Sequence, residues 1–440
     1  MTSSADGTLH FAAWLSKLSP PMKISSKWVY LQLCISTCLL APNLVFGADW
    51  PWFGGPAHDG KSTETGLLKD WPQAGPPLVW KTTGIGDGYA SLVQQGQTLY
   101  TAGDKGETSF VVALNATDGK PIWSSKLGKS GPVGDPKFDG PRGTPTMDGG
   151  SLFMLGQWGD LVCFESNSGK EIWRKDLTKD FGGVNPHWGY SESPLVDGNQ
   201  VVVTPGGSDG AMVALDKKTG AVIWRSRDFT DSPHYSSMIV EDFGGVRQYI
   251  QLTAASVAGI AAKDGKLLWK APRKGNVAVI PSPVFKAGLV YVTSGYGVGC
   301  NCFKLTPADG KFTAEEVYAN KVMVNHHGGV IELDGNVYGY SDGKGWTCQD
   351  LKSGEAKWQE KEKLGKGTIL YADGRFYLRQ EDKKGTLALI EASASGYKEH
   401  GRFDPPDRSS KNSWPHLSLS NGRLYVRDQD VLLCYDVKPK

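Results

Sequence analysis

The feature that most constrains this chain is a phrase that recurs along it: a short apolar strand, a turn closed by Gly, then a strand carrying Trp. It reads Val112-Ala113-Leu114-Asn115-Ala116-Thr117-Asp118-Gly119-Lys120-Pro121-Ile122-Trp123. It returns between Val162 and Trp173, and its cleanest copy runs from Val213-Ala214-Leu215-Asp216 through Gly220 to Trp224. Further copies span Gly265 to Trp269 and Gly354 to Trp358, and worn ones lie at Asp309-Gly310 and Ser395-Gly396. A unit that returns every ~40 to 50 residues marks a repeat architecture, in which each unit buries its apolar faces against its neighbours.

Each unit holds about four short apolar runs separated by Gly, Asp and Asn turns. Val201-Val202-Val203 and Leu289-Val290-Tyr291-Val292 are β-branched and aromatic, and too short for helices. Four antiparallel strands per unit predict the blade of an all-β β-propeller. A large flat side chain fills the gap between blades, so Trp80, Trp123, Trp173, Trp224, Trp269 and Trp358 are expected to be structural. Outer strands expected at these six, near Phe312 and near Tyr397, predict eight blades. Trp80 has no first half upstream, and Leu432-Leu433-Cys434-Tyr435-Asp436 has no second half downstream. Pairing residues 77–81 with 432–436 would close the last blade and remove a sheet edge. The expected organisation is a targeting region over 1–48, an extended segment over 49–76 and the propeller over 77–437.

The first 48 residues read as a signal peptide. Met22-Lys23-Ile24-Ser25-Ser26-Lys27 is a basic start, and Met22 is an alternative initiation point. Trp28 to Leu40 is apolar over signal length, too short to span a bilayer, and Val45-Phe46-Gly47-Ala48 offers small residues for cleavage. An uncleaved anchor is the other reading. Ile35-Ser36-Thr37-Cys38 departs from a lipid-attachment motif at Thr37. The mature chain is expected in the periplasm or cell envelope, as a monomer. Lys17, Lys23, Lys27 and Asp6 leave with the first 47 residues, so the remaining charge is balanced and nothing points to nucleic acid.

The chain has seven cysteines, and they do not read as a disulfide framework. Cys34 and Cys38 lie in the signal region. Cys163, Cys348 and Cys434 fall in the small-residue slot held elsewhere by Ala113 and Ala214, and free Cys behaves as a small apolar residue. Cys300 and Cys302 share one face of a strand, at a spacing strained for a bridge.

The phrase Ala-Leu-Asp-x-x-Thr-Gly-x-x-x-Trp, seen in residues 214–224, resembles the tryptophan-docking repeat of pyrroloquinoline quinone (PQQ) enzymes, which also builds BamB-like outer-membrane assembly factors. Trp50-Pro51-Trp52-Phe53-Gly54-Gly55-Pro56 and Trp188-Gly189-Tyr190-Ser191-Glu192-Ser193-Pro194 are similar to exported PQQ-like propellers of planctomycete-type bacteria. The resemblance covers roughly residues 50–437 and is specific for fold, because propellers host both enzymes and scaffolds.

Chemistry is expected where the innermost strand of each blade begins. The segments there carry Tyr89, Arg142, His187, Trp188, His234, Tyr235, Asn325, His326, His327, Trp414 and His416. Five of the chain's eight histidines fall in them. We take Tyr89, Arg142, His187, Trp188, Tyr235, His326, His327, Trp414 and His416 as a candidate ligand site at the channel mouth. The competing reading is that these groups only satisfy the channel wall. His326 and His327 are adjacent on one strand and point to opposite faces, which argues against a shared metal ion.

The resemblance implies what a PQQ dehydrogenase would need: a calcium held by carboxylate and amide oxygens, an Asp base, an Arg near the quinone and often paired cysteines. The inner segments supply Arg142, Asn185, Glu192 and Asn325 with almost no Asp, and Cys300-Asn301-Cys302 is the nearest approach to a Cys pair. Motif support for PQQ and calcium is therefore poor. Two functions follow. The first is a non-catalytic envelope propeller of BamB type that presents its channel mouth to an envelope protein, small molecule or polymer. The second is a PQQ-dependent dehydrogenase acting on an alcohol or polyvinyl-alcohol-type polymer. No nucleophile elbow, zincin helix or phosphate loop supports other chemistry.

Overall fold

The computed structural model describes residues 49–439 apart from Lys383. The signal-like region, Met22, Cys34 and Cys38 lie outside the described residues. Eight sheets among them form eight antiparallel four-stranded blades: residues 93–129, 146–176, 195–225, 239–272, 284–320, 330–360, 367–403, and 418–436 joined by Leu78–Thr82. The closing pair forms between the expected segments, with Leu78 opposite Tyr435 and, after a register shift, Trp80 opposite Cys434. Middle strands are buried on both faces and read as continuous apolar runs, as in Leu152–Leu155 and Val201–Val203. Outer strands bury less: Val222 and Ile223 are exposed while Trp224 is buried. Among the described residues no helix is long and apolar enough to cross a membrane.

The repeat works between blades. Gly119, Gly169, Gly220 and Gly265 have φ of +70° to +74°, and a Cβ on any of them would fall 2.4–2.8 Å from the ring of Trp80, Trp123, Trp173 or Trp224 of the preceding blade. Only Gly meets both the left-handed turn and the close approach. The indole Nε1–H of each ring then donates to a carbonyl in that next blade: Trp80 to Ala116 (3.0 Å), Trp123 to Ser166 (2.9 Å), Trp173 to Lys217 (3.0 Å), Trp224 to Ala262 (3.1 Å) and Trp358 to Ser393 (3.0 Å). Trp269 instead bonds Gln248 of its own blade at 2.6 Å. Cys163, Cys348 and Cys434 sit directly opposite Trp173, Trp358 and Trp80, and all five described cysteines are free and buried.

Two anchors differ from expectation. In blade five the outer strand is Lys311–Asn320 and its anchor is Tyr318, opposite Cys302, not Phe312. Tyr318 abuts Gly354 and donates to Leu351 O at 2.9 Å, while Phe312 packs on Phe243 at the tip of a long hairpin. In blade seven the outer strand is Glu399–Phe403, so Tyr397 precedes it. There the strand's own Phe403 packs against Gly75 (φ +80°) just before Leu78–Thr82, and Trp71 of the N-terminal segment packs on Gly401 and edge-on to Phe403.

The segment before Leu78 crosses one side of the ring. Trp50 exchanges two backbone hydrogen bonds with Gln94 of blade one, and Trp52 Nε1 donates to Met147 O of blade two at 2.7 Å. Lys61–Ser62 then pairs in parallel with Tyr371 and Ala372 on the inner edge of blade seven. Between these anchors Phe53 reaches in among the inner strands and meets His416 edge-on, ring centroids 5.0 Å apart. The inner strands are also tied in sequence around the ring. The N–H of His416 donates to Ser91 Oγ (2.8 Å), Ser91 to Thr144 Oγ1 (3.2 Å), Thr144 to Ser193 Oγ (3.0 Å) and Ser193 to Ser237 Oγ (2.9 Å).

Candidate functional site

Because the inner strands start at one mouth, the segments before them converge. They enclose a cavity of about 380 Å³ lined by Tyr89, Arg142, Trp188, Tyr235, His326, His327, Trp414 and His416. His187 is not among the lining residues. It is exposed, and its Nε2 lies 3.1 Å from the Asp135 backbone nitrogen on the outer side of the mouth. The wall also holds Phe53, Pro136, Phe138, Val277 and Tyr296, which the repeat pattern does not mark. Phe53 comes from the crossing segment, and Pro136 and Phe138 from a Gly/Pro-rich connection whose isolated Phe was the available signal.

The wall is mainly aromatic. Tyr89 and Trp414 lie 4.7 Å apart, Phe138 and Trp414 4.9 Å, and Trp188 and Tyr235 6.0 Å, by ring centroids. The connection bearing Phe138 is clamped at both ends. Asp104 Oδ2 accepts from the N–H groups of Gly131 and Gly140 and from Gln157 Nε2, each at 3.1 Å. Trp188 Nε1 pins the middle by donating to Pro136 O at 3.2 Å.

Arg142 is the one Arg or Lys of the lining. Its Nη2 donates to Phe138 O at 3.0 Å and its Nη1 to Gly140 O at 3.4 Å, and its guanidinium lies 5.9 Å from the Tyr89 ring centroid. Among the described residues it has no carboxylate in ion-pair contact. Burial pulls its pKa down, against the nearby Tyr89, Tyr235, Asp104 and Asp139, and a guanidinium remains charged at neutral pH. Burial also lowers His326 to about 3 and His416 to about 4, so both are neutral. His327 Nε2 meets Glu381 Oε2 at 2.6 Å, and Trp414 Nε1 donates to the same oxygen at 2.9 Å. Burial opposes ionisation of Glu381, yet His327, Lys366 and Trp414 together hold its carboxyl at about 2. Glu381 escaped the sequence reading because it lies just beyond the second strand of blade seven, outside the inner segments.

The cavity therefore presents the Arg142 guanidinium, the neutral imidazoles of His326 and His416, His327 paired with Glu381, and aromatic faces, and no carboxylate is among its lining residues. Calcium takes six to eight oxygen ligands, and a tri-acid quinone calls for several cations; this lining fits neither. Among the described residues no three His, Cys, Asp or Glu side chains are grouped to hold a metal ion.

Comparison with known proteins gives relatives on the same fold. The BamB of Burkholderia pseudomallei (strain K96243) is 27% identical over 201 residues, covering 43% of this chain and 48% of that protein. The BamB of Xanthomonas campestris pv. campestris is 25% identical over 211 residues, covering 48% of this chain and 47% of its own length. The chain thus spans about half the length of these curated relatives. Quinohemoprotein alcohol dehydrogenase from Comamonas testosteroni superposes with a TM-score of 0.59 at 12% identity, over 89% of this chain and 81% of that one, which is a likeness of fold. Residues 107–360 match the family model described as outer membrane protein assembly factor BamB, more than half of the chain, and the protein belongs to that family.

Proposed function

We propose that this protein is a non-catalytic binding propeller of the cell envelope, and that the aromatic cavity at its channel mouth is where it takes its ligand. The observation that carries this reading is Arg142, a desolvated guanidinium with no carboxylate partner, set in an aromatic wall that bears no acid. A buried charge is stable when paired, and here the missing partner can come from outside. Pre-formed concave sites with an apolar wall and few polar groups are what ligand cavities look like. Export follows the basic and apolar N-terminal region and the family.

The test uses purified protein and intrinsic Trp fluorescence, since Trp188 and Trp414 line the cavity. A panel of acidic and neutral extracytoplasmic solutes is titrated, with PQQ plus calcium as a separate arm. The expected result is quenching by acidic solutes that is lost in Arg142→Ala and Trp188→Ala proteins whose melts are unchanged. Silence across the panel would overturn the reading. Tight PQQ binding with quinone reduction by alcohols would replace it with the dehydrogenase.

A further inference from the structure

We infer that the cavity takes the free carboxyl-terminal end of an extended polypeptide whose last side chain is apolar or aromatic. This rests on the reading that the cavity binds a ligand and says which ligand. Four features point to it. Phe53 lines the cavity from the crossing segment, which is anchored on blades one, two and seven and so runs over one side of the ring. A linear molecule that enters at the mouth meets that segment with its end. At about 380 Å³ it is at the small end of ligand cavities, with room for the end of a chain and none for a folded domain.

Arg142 supplies the counter-charge. Two of its five N–H groups are used by Phe138 O and Gly140 O, and three remain for a carboxylate, which the guanidinium fork can bind bidentately. The rest of the lining suits an apolar side chain. A uronic acid would bring the same charge but several hydroxyls with it. Ser193 and Ser237 each spend one acceptor position on a blade-to-blade hydrogen bond, and in a mainly aromatic wall several sugar hydroxyls would compete for the remaining polar groups, where each left unpaired is costly.

The rim extends the site outward. Val277 and Tyr296 line the cavity and yet are 48% and 42% exposed. Both are held at positive φ, +30° and +55°, and a β-branched residue there is a strained outlier of the kind that clusters at ligand clamps. A small acid held wholly inside would leave this apolar rim wet. The residues preceding an inserted chain end would cover it.

The experiment compares three probes by calorimetric titration on the full protein: a hexapeptide ending in a free Phe carboxylate, the same peptide as its C-terminal amide, and phenylacetate. The free acid is expected to bind, with amidation weakening it about 30-fold or more, as for a buried charge pair that loses one partner. Arg142→Ala should bring the acid peptide to the level of the amide, and Val277→Asp should weaken the peptide more than it weakens phenylacetate. Equal binding of acid and amide overturns the inference, as does an unaffected Arg142→Ala protein with an intact melt. Should Arg142→Ala fail to fold, the acid–amide comparison on the unaltered protein decides. Phenylacetate or another small acid binding where the peptide does not would overturn the chain-end inference and leave the ligand cavity standing. Failure of every probe and of the acidic panel would sink both.

Discussion

The backbone N–H of Ser193 donates to Ser237 Oγ across 2.9 Å, from the inner strand of one blade to the next. Both residues are buried. Ser237→Ala leaves that N–H without a partner away from water, and an unmet buried donor costs about 1–3 kcal/mol. Urea unfolding should show the loss as a lower midpoint. An unchanged midpoint would mean that this bond is not a tie between blades.

Trp224 fills the seam between blades three and four, with its ring on Gly265 and its Nε1–H on Ala262 O. Trp224→Ala is expected to cost about 3–5 kcal/mol, the range for a buried aromatic cut to Ala. The half-buried Trp123 should cost less when cut in the same way. Denaturant melts of the two variants, ranked in the opposite order, would contradict the docking geometry.

Glu192 is buried, with one oxygen accepting from Thr204 N–H and the other unpartnered. Burial pushes its carboxyl from 4.5 up to about 7. A raised acid is neutral in the fold while already ionised in the unfolded chain between those values, so stability falls as pH rises from 4.5 to about 7 and levels off above. The loss is at most about 3 kcal/mol. Melts of Glu192→Gln between pH 5 and 8 should be flatter than those of the unaltered protein. Parallel curves would show that Glu192 does not titrate in this window.

Asp104 holds both ends of the connection that carries Phe138 and the carbonyls behind Arg142. Asp104→Ala removes a charged acceptor from four donors, the Gly131 and Gly140 amides, Gln157 Nε2 and Ser109 Oγ, at about 1.5–3 kcal/mol for a hydrogen bond to a charged group. The Gly131 and Gly140 amides should exchange hydrogen faster, with ligand affinity falling alongside. Unchanged protection at both amides would mean that the clamp is redundant.

The eight blades could be read from sequence because the contacts that build them repeat. Each docking Gly and each docking Trp sit at the same places in their phrases, so inter-blade chemistry leaves a periodic trace. Blade five hid its anchor because Tyr318 replaces Trp near the end of a ten-residue strand, which moved the position away from Phe312. The cavity was legible for a related reason: a shared position before each inner strand becomes a shared mouth. His187 fell outside it by one residue, beside Trp188 that lines it. Phe53, Phe138 and Tyr296 carry no periodic mark. They come from an N-terminal crossing, a clamped connection and a hairpin tip, and only the closed ring brings them together.

The seam between Leu78–Thr82 and Val431–Asp436 also sets a timetable. Its two strands come from nearly opposite ends of the sequence, so the first must wait unpaired while almost the whole chain is synthesised. Contacts this distant along the sequence are slow to form, because the entropy of closing the loop is lost before the pairing compensates for it. Seven blades can collapse one after another on their neighbours, but the eighth cannot exist until the last strand arrives. Closure of this seam is therefore expected to be the last step of folding, and a partner that shielded the waiting edge would act on yield and leave the finished molecule unchanged.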